Sequence, residues 1–173
     1  MKYKTILADP PWEYRNCKMK FKDAWVSGSD GGAKSQYPTM SLDEIRSLPI
    51  INEMRDKDCV LFLWATFPLL PEAFEVMKSW GFTYKTTLVW IKSGLPGMGF
   101  WFRVQGEVCL IGKRGNAKAF RSMHPNIFFA KATRHSRKPE RFFNMIDPVI
   151  PRPAIELFAR ERRDGWDAWG DEL

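Results

Sequence analysis

Four consecutive residues near the amino terminus have the side chains needed to bind a planar aromatic amine. Asp9, Pro10, Pro11 and Trp12 follow an apolar run that is typical of a strand. The Asp9 carboxylate and the Pro10 carbonyl can each accept a hydrogen of the amine, and an exposed Trp12 indole offers a stacking face. Such acceptors localise the lone pair of an adenine 6-amino group for attack. The plainer interpretations are a surface turn or a proline-rich ligand for an adaptor domain.

The elements that must position this motif alternate between apolar strands and amphipathic helices, which predicts an α/β fold. Strands are predicted at residues 3–9, 58–65, 86–92, 107–112, 127–130 and 154–159. A capping box at Ser41 and Glu44 predicts a helix toward Met54, and two further helices are predicted over 71–80 and 139–146. Ligands of open α/β sheets bind beyond the carboxyl ends of the strands, where we expect Asp9.

The composition predicts one ordered domain spanning residues 1–173. With 45% apolar and 14% aromatic residues, the chain can bury a sizeable core and is unlike disordered sequences. The longest strongly apolar run has eleven residues, well short of the roughly 20 that cross a bilayer, so we expect a cytoplasmic protein without membrane contact. The three cysteines and two histidines lack the spacing of a metal site, and no metal is predicted.

The excess positive charge lies in one part of the chain. The formal charge is +7, but the 39 residues from Arg103 to Arg141 hold ten basic and two acidic residues, or +8, which leaves −1 for the remainder. Such a stretch can attract a polyanion such as nucleic acid, or it can be an ordinary solvated face. Three of its residues are predicted to contact phosphates: Lys113, Arg114 and Lys118.

Seven blocks of sequence, in order along nearly the whole chain, resemble those of one enzyme family. They begin with 8-ADPPW-12, 37-YPTMS-41, 61-LFLWA-65 and 106-GEVCLIG-112, and continue with 135-HSRKP-139, 155-IELFAR-160 and 165-GWDAWG-170. These blocks are similar to the DPPW-type N6-adenine methyltransferases, the family of the catalytic subunit that writes N6-methyladenine in messenger RNA. The resemblance implies a Rossmann-like methyltransferase fold of permuted order, with the catalytic motif first and the donor-binding motif last.

The resemblance also implies roles for particular residues. The methyl donor would be S-adenosylmethionine, with Asp9 holding the target amine and the donor's amino group, and Lys138 pairing with the donor's carboxylate. The remaining cofactor-binding set lies near the carboxyl terminus: Arg160, Arg162, Asp171 and Glu172. Asp171 stands where the family often has Asn, and Tyr37 matches an aromatic position beside the acceptor pocket. The substrate would be adenine in nucleic acid, with DNA favoured over RNA, and a homodimer or partner subunit is a further expectation.

Two alternatives belong to other classes of protein. Residues 28–35 differ from the phosphate-binding loop of nucleoside triphosphatases only by Ala33 in place of the second glycine, but Pro38 follows too soon for the helix that such a loop requires. We interpret residues 15–36 instead as a flexible lid, and residues 93–100 as a second long loop. The other alternative is a non-catalytic binding subunit that keeps the fold, against which the intact motif from Asp9 to Trp12 argues.

Overall fold

The computed structural model describes residues 1–13, 39–95, 97, 101–132 and 137–170. The predictions made for Tyr37, Asp171 and Glu172, for the lid at 15–36 and for the phosphate-loop pattern at 28–35 lie outside these residues. Within the described part of the chain, no helix is long and apolar enough to cross a membrane.

One sheet of seven strands organises the described residues. The strands are β1 (Tyr3–Ala8), β2 (Arg55–Ala65), β3 (Thr83–Ser93), β4 (Gly106–Arg114), β5 (Ile127–Lys131), β6 (Ala154–Leu157) and β7 (Asp167–Trp169). They lie in the order β5-β3-β4-β2-β1-β6-β7. β1 lies inside the sheet, paired in parallel with β2 and β6, and its residues from Thr5 to Ala8 are buried because helices cover both faces.

The direction of β4 decides which residues share an edge of the sheet. β4 pairs antiparallel with both β2 and β3, whereas the other neighbouring strands pair in parallel. The carboxyl ends of the other six strands therefore lie at one edge, together with the amino-terminal end of β4. Asp9, directly after β1, and Glu107, at the start of β4, are brought to this edge from opposite strand directions.

Short helices pack on the two faces. They are α1 (Leu42–Arg46), α2 (Ile50–Met54), α3 (Leu70–Ser79) and α4 (Glu140–Ile146), with a 3-10 turn at Phe67–Leu69 before α3. Apolar residues of α1, α2 and α3 pack with Leu61 and Leu63 on one face. Phe142 and Phe143 of α4 pack with Phe62 and Trp64 on the other. Alternate residues of β2 therefore serve two separate cores.

The α/β class and the methyltransferase fold expected from the sequence are confirmed, with differences in detail. The predicted capping box is present: the Ser41 hydroxyl accepts from the Glu44 N–H, and Glu44 accepts from the Ser41 N–H. The single helix predicted from Ser41 to Met54 is wrong, because it is divided into α1 and α2 at Pro49, which has no N–H to continue the hydrogen-bond ladder. β7 was not predicted.

Candidate active site

The Asp-Pro-Pro-Trp segment forms a tight turn at the carboxyl end of β1. The Trp12 N–H donates to the Pro10 carbonyl at 2.8 Å, and the Met40 N–H donates to the Pro11 carbonyl at 2.8 Å. The second bond joins the turn to the segment that leads into α1. Because Pro10 is buried and its carbonyl already accepts one hydrogen bond, only its second lone pair is left for a substrate.

The expectation of an exposed Trp12 indole is wrong. The residue is 8% exposed and packs in the core formed with α1, α2 and α3. Its indole N–H donates to the carbonyl of Trp64, the second-last residue of β2, at 3.0 Å. Trp12 thus fastens the turn to the neighbouring strand, and a base-stacking role for its ring has no support in this arrangement.

We predict that Trp12→Ala destabilises the protein by about 3 to 5 kcal/mol, as expected for removing a buried aromatic side chain. Trp12→Phe should cost less, because it keeps most of the packing and loses only the bond to Trp64. Urea unfolding of both variants tests this. If Trp12→Ala instead kept wild-type stability and lost only affinity for nucleic acid, the ring would be a stacking surface after all.

A buried lysine holds together two carboxylates that come from different strands. Lys138 Nζ lies 2.7 Å from Asp9 Oδ2 and 3.1 Å from Glu107 Oε2. The Lys138 side chain is only 8% exposed, and its ammonium lies 5.1 Å from the centre of the Trp64 ring. The fold therefore brings Asp9 and Lys138 together, although they are 129 residues apart in sequence.

The charges of this cluster determine one another's protonation. Burial lowers the pKa of Lys138, but Asp9 and Glu107 together raise it to about 12. Burial would raise the pKa of Glu107, yet Lys138 and Lys92 hold it below its ordinary value. Burial raises the pKa of Asp9, and Lys138 opposes that rise. Lys138 is therefore a permanent cation whose contact at 2.7 Å favours the ionised Asp9 near neutral pH.

The segment on either side of Lys138 is fixed by further ion pairs. Arg137 contacts Glu140 at 3.4 Å and Glu161 at 3.0 Å, so it links the start of α4 to the chain after β6. Arg163 contacts Glu140 at 2.9 Å and lies over the Phe143 ring at 3.6 Å. These contacts hold the end of β6 against α4, which places the motif around Lys138 beside the motif around Arg160.

Two carboxylates of this site were not predicted from the sequence. Glu107 is one, and Glu156 on β6 is the other. Burial, followed by the charge of Asp9, raises the pKa of Glu156 to about 7. Each is a single acidic residue directly beside a buried apolar run of its strand, and this is the signal that could have indicated them.

Of the two arginines predicted to bind the donor, the fold brings one close to Asp9. Arg160 is half-buried and close enough to Asp9 to lower the pKa of its carboxyl, which places it at the same edge of the sheet. Arg162 is exposed. The roles assigned to Arg160 and Arg162 stay predictions.

The basic stretch from Arg103 to Arg141 reaches Asp9 through Lys138, whereas the three residues predicted to contact phosphates lie elsewhere and their role stays a prediction. Lys113 and Arg114 end β4 and lie opposite Val60 and Cys59, near the start of β2. Lys113 lies six positions along β4 from Glu107, a distance of about 20 Å. Lys118 is exposed in the connection after β4. Positive charge that is continuous in sequence is thus divided between opposite ends of the sheet.

Comparison of the sequence with known proteins identifies the family of this chain. The MT-A70 family model matches residues 3–172. The chain is 34% identical to the type II methyltransferase M.MunI of a Mycoplasma species, over 99% of this chain and 78% of that protein. It is 26% identical to the human N(6)-adenosine-methyltransferase catalytic subunit METTL3, over 99% of this chain but only 28% of that protein. It is 28% identical to the N6-methyladenosine RNA methyltransferase MTA1 of Cryphonectria parasitica, of which it covers 52%.

An α/β sheet with an Asp-Pro-Pro-Trp turn and a buried lysine at the carboxyl edge of its strands defines an enzyme of the methyltransferase class. The chain belongs to the MT-A70 family. It is a methyltransferase that uses S-adenosylmethionine and methylates adenine at N6, as the sequence resemblance implied.

Proposed function

We propose that the cluster around Lys138 is the active site, and that it transfers a methyl group to the 6-amino group of adenine in DNA. The observation that carries the proposal is the contact of 2.7 Å between Asp9 and Lys138 at the edge where Glu107 and Glu156 also lie. A carboxylate that must accept hydrogens from an amine is here held in place and ionised by a buried cation.

The chemistry of these side chains fits S-adenosylmethionine. Lys138 provides a cation for its carboxylate, Asp9 provides an anion for its ammonium group, and Arg160 lies near Asp9. Glu156, with a pKa of about 7, can either donate or accept a hydrogen bond near neutral pH. When bound, S-adenosylmethionine supplies an electrophilic methyl group on its sulfonium. Arg162, Asp171 and Glu172 remain predicted contacts of the donor, and Tyr37 remains a predicted contact of the substrate.

At the acceptor, the Asp9 oxygen that does not face Lys138 and the second lone pair of the Pro10 carbonyl are the groups that would receive the two amine hydrogens. Pro11 keeps the turn rigid, so both acceptors hold their direction without rearranging. An adenine paired in a duplex hides its amino group, so the substrate must be a flipped base or a single strand.

DNA is favoured because the relative with the fuller coverage is a type II methyltransferase, a class that acts on DNA. The adenosine and RNA methyltransferases among the relatives support RNA as the second candidate. Transfer of labelled methyl groups to DNA and RNA oligonucleotides, each single- and double-stranded, tests the proposal directly. Transfer to DNA alone supports it, and transfer to RNA alone shows that the alternative is correct. A homodimer or partner subunit, and a cytoplasmic location, remain predictions.

The distant basic residues give a separate prediction about the polymer. Because Lys113 and Arg114 lie about 20 Å along β4 from Glu107, they can contact only phosphates far from the target base. Replacing Lys113, Arg114 and Lys118 by Ala should weaken nucleic-acid binding to all sequences alike. The slope of the logarithm of the binding constant against the logarithm of the salt concentration should become shallower by up to about three. The turnover rate at saturating substrate should stay unchanged. Titrations at several salt concentrations measure this, and an unchanged slope would make these residues a solvated face.

A further inference from the structure

The Lys138 cluster extends to a residue that has no place in the functional assignment so far. Lys92 Nζ on β3 lies 2.5 Å from Glu107 Oε1, the oxygen of Glu107 that does not face Lys138. Four side chains of alternating charge therefore run in a line across four separate segments of the chain, in the order Lys92, Glu107, Lys138 and Asp9. The line is electrically neutral, and its Asp9 end is the proposed acceptor of the amine.

Lys92 is itself held in place. Its ammonium lies 5.1 Å from the centre of the Trp90 ring, and the Trp90 indole N–H donates to the Ala130 carbonyl at 2.9 Å. Its backbone N–H donates to the Gln105 carbonyl at 2.7 Å, two residues before Glu107. The side chain is 35% exposed, whereas that of Lys138 is 8% exposed. Lys92 is thus the most exposed member of the line. It contacts Glu107 and lies at the opposite end from Asp9.

We propose that Lys92 is a positioning residue for methyl transfer, which keeps Glu107 ionised and aimed at Lys138 so that Asp9 stays ionised and fixed. This inference rests on the proposed function. Without Lys92, two carboxylates would share one cation in a poorly hydrated site. One of them would then take up a proton, and Glu107 would be free to rotate away from Lys138.

The direction of the pH effect follows from the groups that face the line. Among the described residues these are Lys92 on β3, Glu107 and Cys109 on β4, Asp9 after β1, Glu156 on β6, Arg160 after β6, and Lys138 before α4. Lys92 lowers the pKa of Glu107, and Glu107 raises the pKa of Asp9. Removing Lys92 therefore raises the pKa of Glu107. The Glu107 carboxylate then loses its negative charge at a higher pH than in the wild type.

The test compares Lys92→Met with Lys92→Arg, which keeps the charge, and with Lys85→Met, an exposed lysine on the same strand. Carboxyl NMR titration of the donor-free protein should show the pKa of Glu107 higher by about one unit or more in Lys92→Met, since one unit corresponds to a lost charge-assisted hydrogen bond. In the pH profile of the methyl-transfer rate, the acid limb should shift to higher pH by a similar amount. Lys92→Arg should restore both, and Lys92→Gln serves if Lys92→Met fails to fold.

An unchanged pKa of Glu107, or a pH profile of Lys92→Met equal to that of Lys85→Met, would overturn the inference. Failure of the proposed function and failure of the role of Lys92 give different results. If the wild-type chain transfers no methyl group to adenine, the proposed function fails, and the NMR titration still decides whether Lys92 controls Glu107. If the wild type is active and Lys92→Met behaves like the control, only the positioning role fails.

Discussion

Asp9→Asn should lose methyl transfer by about 10²- to 10³-fold while the protein remains folded, the effect expected when a preorganised polar group is removed from an active site. The amide keeps the shape of the side chain but loses the charge that Lys138 holds at 2.7 Å and that the target amine requires. Single-turnover rates with saturating S-adenosylmethionine measure the loss at the acceptor.

Asp43→Asn is the matched control for this variant. Asp43 lies on α1 with its side chain 93% exposed, so the same substitution there should leave both rate and stability unchanged. Circular dichroism establishes that Asp9→Asn is folded. A rate within a few-fold of wild type would remove Asp9 from the catalytic machinery.

Lys138→Met should show the largest combined effect, on stability and on donor binding. Removing the cation leaves Asp9 and Glu107 buried close together, and breaking a buried pair in this way costs about 3 to 5 kcal/mol. Loss of the contact with the donor's carboxylate should weaken S-adenosylmethionine binding about 10- to 100-fold. Urea unfolding and calorimetry measure the two effects.

The stability loss of Lys138→Met should depend on pH in a defined direction. Burial already raises the pKa of Asp9 with Lys138 present, and without Lys138 it rises further. A carboxyl whose folded pKa exceeds its unfolded value, about 3.9, destabilises the folded state progressively as pH rises above that value. The deficit should therefore be larger at pH 7 than at pH 5.

Lys78→Met, an exposed lysine on α3, controls for the substitution itself and should match wild type at both pH values. Normal S-adenosylmethionine affinity in a folded Lys138→Met would leave Lys138 with only the role of holding Asp9. A deficit that did not change between pH 5 and pH 7 would contradict the electrostatic explanation.

The sequence predicted the position of Asp9 because local signals agree there: an apolar run ends, and a rigid turn follows. It also indicated that Asp9 and Lys138 belong to one site, through the resemblance of the blocks that contain them. The position of Glu107 could not be predicted, because nothing in the pattern of β4 shows that this strand runs against its neighbours. That reversal alone brings the start of β4 to the edge where Asp9 lies.

Partners distant in sequence decide local environments, and this explains the error made for Trp12. Trp12 was expected in solvent because the turn looked exposed, but its indole finds the Trp64 carbonyl 52 residues away. The basic stretch from Arg103 to Arg141 behaves differently: Lys138 lies beside Asp9, but Lys113 and Arg114 end β4 far from it. An extended strand instead separates such residues by about 3.4 Å per position, so a charged stretch need not form a charged patch.

The most direct measurement is nucleoside mass spectrometry of adenine-containing DNA after incubation with the protein and S-adenosylmethionine, with Asp9→Asn run in parallel. The account predicts N6-methyladenine as the methylated product of the wild type, at a level at least about 10²-fold above that of Asp9→Asn. Methylation at another position, or equal yields of N6-methyladenine from the two proteins, would contradict it.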